Sequence, residues 1–133
     1  MSAPSGRRSA SSGSPFEASI GFSRAVRVGN RIMVSGTAPV EADGSSTPGG
    51  AGPQAARCLA VIIAAIEQLG GSAQDVVRTR MYLTDASDAD AVGAAHGAVF
   101  GDIRPASTMV VVAALLRPEW RIEIEAEAVV DGA

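Results

Sequence analysis

Apolar and polar positions follow one another in an order that predicts a small mixed fold. Ala25-Val26-Arg27-Val28 and Arg31-Ile32-Met33-Val34-Ser35 read as two short strands across Gly29-Asn30, a turn pair suited to the positive φ that two-residue hairpins use. Gly36 follows, where the backbone can approach a neighbour closely. Pro53 suits the first turn of a helix running to about Leu69, with Gly70-Gly71 as its stop. Leu59, Ile62, Ile63, Ile66 and Leu69 give that helix a wide apolar face, which requires a sheet to pack on. Val76 to Leu83 alternates as a strand, with Arg78, Arg80 and Tyr82 on one side and Val77, Thr79, Met81 and Leu83 on the other. Ser87, with Asp90 three residues on, opens a second helix through Phe100 whose inner stripe takes Val92, Ala95 or His96, and Val99. Ser107 to Leu115 and Arg121 to Val130 complete the set as strands. The order β-β-α-β-α-β-β is an α+β fold with its helices on one sheet face.

Met1 to Pro15 carries Ser, Gly, Ala and Pro with Arg7 and Arg8, and no large apolar side chain after the initiator, so residues 1–15 are expected to be a disordered tail. Residues 16–133 then form a single domain. Asp43 to Gly52, rich in Gly, Ser and Pro, reads as a mobile loop. A net charge of −3 argues against nucleic-acid binding as the main task, because that affinity comes from cations releasing counterions. Cys58 is the only cysteine and His96 the only histidine, so no disulfide framework within the chain and no Cys/His metal site is expected. A reducing cytoplasm fits this usage. The longest apolar run, Cys58 to Ile66, falls short of the roughly 18 residues of a membrane-spanning helix, so no membrane association is expected.

The last strand carries the most chemistry. Alternation sets Ile122, Ile124, Ala126 and Ala128 on one face and Glu123, Glu125 and Glu127 on the other. Carboxylates about 7 Å apart along a strand need water, protons or cations between them, and Arg78 and Arg80 are the candidates. A polar sheet face opposite a helix-covered one also suggests self-association.

Several segments, in order, carry a resemblance: Val28-Gly29-Asn30, Val34-Ser35-Gly36-Thr37-Ala38-Pro39, Asp75-Val76-Val77-Arg78, Tyr82-Leu83-Thr84-Asp85, Phe100, Arg104-Pro105-Ala106 and Ile122-Glu123-Ile124-Glu125-Ala126. Over roughly Gly21 to Val130 the chain resembles the RidA/YjgF family, the reactive-intermediate deaminases. The resemblance implies a chorismate-mutase-like subunit in a homotrimer with sheets inward, small-molecule clefts between neighbouring subunits, and neither metal nor organic cofactor. In deaminating members an arginine binds the carboxylate of a 2-imino or 2-enamino acid, and a glutamate, aligned with Glu123, positions the hydrolytic water. Ser35 and Gly36 would add backbone donors.

The chain departs from that pattern at the cleft itself. Ser107 stands where the family has its arginine, Phe22 where deaminating relatives have a tyrosine, Gly93 where they have an asparagine and Met109 where a cysteine is common. Losing a charge-assisted, two-pronged contact should remove about 2–4 kcal/mol of carboxylate binding. A cleft without a strong cation would favour a neutral ligand. Arg104 would point to the other face of an extended segment fixed by Pro105, as a loop or subunit anchor. His96 and Cys58 read as packed helix residues, and Trp120 as a turn or subunit contact. Three functions stay open: hydrolysis of an unusual imine or related compound with Glu123 positioning water, a non-catalytic trimer binding a metabolite or protein, and, third, RNA cleavage, for which the chain offers no basic patch or histidine pair.

Overall fold

The computed structural model describes residues 6–131. Its elements are β1 (Arg8–Ala10), α1 (Pro15–Ile20), β2 (Ala25–Val28), β3 (Arg31–Thr37), α2 (Ala51–Gln68), β4 (Val76–Leu83), α3 (Ala89–Phe100), β5 (Ala106–Val111) and β6 (Ile122–Val129). The strands form one sheet in the order β1-β2-β3-β6-β4-β5, parallel only between β4 and β5. Helix α2 packs across β3 and β6 and beside α3. Its Leu59, Ile62 and Ile66 are fully buried with Ile32, Ile122 and Ile124 of the sheet, so the apolar side of the alternating strands faces the helices as the pattern required.

The order of the expected elements holds, and two more precede them. The 1–15 tail is corrected over its described part: Arg8–Ala10 pairs with Ala25–Arg27, and Ala10 is buried. A backbone ladder needs no large side chains, which is why composition missed it. Ser11 Oγ and the Ser12 backbone N–H both donate to Glu17, so the polar stretch is bonded rather than left to water. Residues 1–5, also placed in the tail, lie outside the described residues.

Smaller differences have local causes. Val77 is 46% exposed instead of buried, because the β4–β6 register shifts between Val76 and Arg78 and turns Val77 outward. Asp85, not Ser87, caps the turn before α3, its carboxylate accepting from the Ser87 N–H at 2.8 Å. Strand β5 ends at Val111. Arg104 is not extended: it takes φ 57, and its N–H donates to the Phe100 carbonyl at 2.8 Å, closing the end of α3. The loop before α2 is stapled, since Trp120 Nε1 donates to Ser46 Oγ at 3.0 Å and Gln54 Nε2 donates to the carbonyls of Thr47 and Glu119.

Ile62 is fully buried and the adjacent Ile63 only half-buried, so Ile62→Ala should cost about 2–5 kcal/mol of unfolding free energy and Ile63→Ala clearly less. Urea unfolding of the two variants checks the helix register.

Candidate functional site

The site begins with an irregularity in β3. Val34 pairs with Ala126 and Thr37 with Ile124, so Ser35 and Gly36 together oppose Glu125. This bulge lays Gly36 against the Glu123 side chain, where any Cβ would collide with the carboxylate. Arg24, just before β2, completes the corner. Its Nη1 donates to the Gly36 carbonyl at 2.7 Å and to Thr37 Oγ1 at 3.1 Å, its Nε donates to Glu17 at 3.3 Å, and its guanidinium lies 5.2 Å from the centre of the Phe22 ring. Arg24 and Glu17 are an ion pair with both side chains about 7% exposed.

Around this corner lies a cavity of about 380 Å³. Phe16, Phe22, Val40, Val61 and Trp120 supply apolar wall, while Arg24, Arg57, Glu41 and Glu123 supply charge. Burial pushes the Glu123 carboxyl above the usual carboxylate range, Arg24 pulls it part of the way back, and Glu125 adds to the rise. Burial also acts upward on Glu17, but hydrogen bonds from Ser12, Ser11 and Arg24 outweigh it and hold that carboxyl below its ordinary value. Two neighbouring carboxyls are thus held in opposite senses.

The rest of the glutamate row is neutralised across the strands. Arg80 Nη1 lies 3.3 Å from Glu125 and 3.1 Å from Glu127, Arg31 approaches Glu127 at 3.6 Å, and Tyr82 donates its hydroxyl to Glu125. Arg80 is therefore engaged as expected, but Arg78 forms none of these ion pairs. Glu123 is the member of the row that borders the cavity.

Of the residues singled out by sequence, Glu123, Gly36 and Phe22 meet here. Ser35 supports the corner without lining it, donating from Oγ to the Ser23 carbonyl at 2.8 Å. Gly93, Ser107 and Met109 lie elsewhere in the chain, on α3 and β5. Ser107 and Met109 pair with Thr79 and Met81, both buried on the helix side of β4, whereas Glu123 pairs with Tyr82 on the polar side. Thr79 Oγ1 donates to Ser107 Oγ at 2.8 Å, and His96 Nε2 lies 2.8 Å from the same Thr79 oxygen. Burial lowers the His96 pKa and raises that of the Cys58 thiol, so neither ring charge nor thiolate is favoured.

The expectation of a cleft without a strong cation is overturned by Arg24 and Arg57, which sequence reasoning did not single out. The available cues were slight: Arg57 sits four residues before Val61 on a mostly apolar helix, placing both on one face, and Arg24 lies two residues after Phe22. Trp120, read as a turn or contact residue, is buried and lines this cavity. Among the described residues no group of three His, Cys, Asp or Glu side chains could hold a metal ion, and no helix is long and apolar enough to cross a membrane.

Comparison with known proteins places this corner in context. Residues 13–130 match the family described as endoribonuclease L-PSP. A 2-iminobutanoate/2-iminopropanoate deaminase of Escherichia coli is 34% identical over 111 residues, covering 81% of this chain and 86% of its own. A solved Mycobacterium tuberculosis member of the YjgF/YER057c/UK114 family is 44% identical with a TM-score of 0.85, covering 93% of this chain and 99% of its own. The YjgF gene product of E. coli superposes with a TM-score of 0.80 at 34% identity, covering 92% and 98%. The mixed sheet with helices on one face is the fold these structures share, and the chain belongs to the RidA/YjgF family.

Because the folded state holds the Glu123 proton more tightly than the unfolded chain does, its stability contribution is full below the ordinary carboxylate range and is lost as pH rises through the elevated value. Glu123→Gln should therefore raise the urea midpoint at pH 8, with a gain that shrinks steadily as the pH is lowered to 4.

Proposed function

We propose that this protein hydrolyses a small imine or enamine, with Glu123 as the group that handles the water proton. The observation that carries this reading is the desolvated Glu123 carboxyl at the wall of a ligand-sized cavity on a RidA/YjgF scaffold. Ionised Glu123 accepts a proton from water as the oxygen bonds to the imine carbon. The carbinolamine formed from the protonated imine takes that proton back on nitrogen, and as its hydroxyl gives a proton to Glu123 the C–N bond breaks, releasing ammonia and the oxo compound. A base that holds its proton more tightly than a solvated carboxylate suits these transfers. The 34%-identical E. coli relative, named as a deaminase of 2-iminobutanoate and 2-iminopropanoate, supports the same reaction class.

The working form in this proposal is a homotrimer in which a second copy closes the cavity. Leu116 and Ile20, at the cavity mouth, are 79% and 65% exposed, and Val110 and Val111 stand exposed on β5, an edge strand. Exposed apolar groups at a cavity rim and along an unpaired strand edge are surfaces a second copy would cover. Gly93, Ser107 and Met109 then face the cavity of the neighbouring subunit. RNA cleavage has less support, since the polar sheet face carries Glu123, Glu125 and Glu127.

Freshly generated 2-iminopropanoate, or a bulkier 2-imino acid, should release ammonia faster with the protein than without it. Glu123→Ala should lower that rate by about 10²–10⁴-fold at an unchanged oligomeric state by native mass spectrometry. Activity seen only in Ser107→Arg would overturn the reading and leave a scaffold that uses its cavity for binding alone.

A further inference from the structure

We infer that Arg24 and Arg57 together hold the carboxylate of the ligand, in place of the arginine that Ser107 displaces. This rests on the hydrolytic reading for the ligand's class, not for the site's existence. Both guanidinium groups border the Glu123 cavity, and both also border an adjoining cleft of about 240 Å³ that Ser11, Ser12 and Gln68 line. They therefore stand in the wall common to the two spaces.

Each arginine keeps donors in reserve. Arg24 spends Nε and Nη1 on Glu17, Gly36 and Thr37, and none of these bonds uses Nη2. Among the described residues no fully enclosed side-chain nitrogen or oxygen lacks a hydrogen-bond partner, so Nη2, which takes part in none of these bonds, is not fully enclosed. Arg57 donates from Nε to the Val40 carbonyl at 2.8 Å and meets Glu41 only at 3.9 Å, which leaves the outer fork of its guanidinium unbonded. The outer fork of Arg57 suits a carboxylate, which accepts two parallel hydrogen bonds from it, and Arg24 adds a single donor from Nη2.

Three carboxyls face these cations and must be counted. Glu17 neutralises Arg24 along the Nε edge, which Nη2 shares, and Glu41 accepts from Thr47 Oγ1 while standing off from Arg57. Glu123 is the third, and Arg24 offsets part of its charge. The remaining wall of Phe16, Phe22, Val61, Leu116 and Trp120 is apolar. The ligand class is a 2-imino or 2-oxo acid with a branched or aromatic apolar side chain.

Calorimetric titration of the whole protein with 4-methyl-2-oxopentanoate and with its neutral primary amide tests this without turnover. The carboxylate should bind at least about 10-fold more tightly than the amide, and Arg57→Gln should abolish that preference. Glu17→Gln, which frees Arg24 of its counter-charge while keeping an acceptor for Ser12, should tighten the carboxylate several-fold and leave the amide unchanged. Thermal melts confirm that each variant is folded. No binding, equal binding of the two compounds, an indifferent Arg57→Gln, or a Glu17→Gln that weakens both alike would overturn the site. Ammonia release that survives Arg57→Gln unchanged would sink this site and spare the hydrolytic reading. Arginine-dependent binding without ammonia release would do the reverse.

Discussion

The pairing of a buried guanidinium with a broken strand is the constraint from which the rest of the site follows. At Ser35-Gly36 the β3–β6 ladder slips, and a slipped ladder leaves backbone groups that a buried corner cannot leave unsatisfied. Arg24 takes up the Gly36 carbonyl, and the burial of Arg24 then requires a counter-charge, which Glu17 supplies from the N-terminal segment. Glu17 in turn gathers Ser11 and Ser12. One local irregularity thereby fixes the path of the chain from β1 to α1, and that path builds a wall of the cavity. Glu123 owes its desolvation to the same closure.

The alternation of β6 was legible as a pattern, and so was its consequence: the isoleucines are buried and the glutamates line the other face. The apolar stripe of α2 was equally legible, because Leu59, Ile62 and Ile66 have no other way out of water than the sheet. What escaped was whatever depends on backbone pairing. Arg8–Ala10 has no apolar signature to announce a strand, and the bulge that exposes Val77 adds a single residue to a run that still alternates. Candidate chemistry followed the same division. Glu123 and Gly36 could be found from the strand pattern and the family likeness, whereas Arg24 and Arg57 became candidates only once β1, α1 and α2 had been brought together in space.

The residues that the sequence reading set apart from the family pattern separate by location. Phe22 sits in the Glu123 cavity, with the Arg24 guanidinium 5.2 Å from its ring centre in a cation–π contact. Gly93, Ser107 and Met109 belong to the α3–β5 edge, where Ser107 is tied to Thr79 and His96 through a short polar chain. A Cβ at Gly93 would meet nothing within 4 Å, so the glycine leaves open space there rather than answering a packing demand. These positions thus fall on both sides of the proposed intersubunit cleft.

The central claim is that Glu123 is a desolvated carboxyl that holds its proton more tightly than a solvated glutamate does. Carbon-13 NMR titration of the glutamate side-chain carboxyls, with Glu123→Gln used to assign the resonance, measures this directly. The account expects the Glu123 midpoint to lie clearly above the ordinary carboxylate range and to stand apart from that of Glu17, which should lie below it. A Glu123 midpoint at or below the ordinary range would contradict the account, because it would mean that the carboxylate is solvated or fully paired rather than desolvated at the cavity wall.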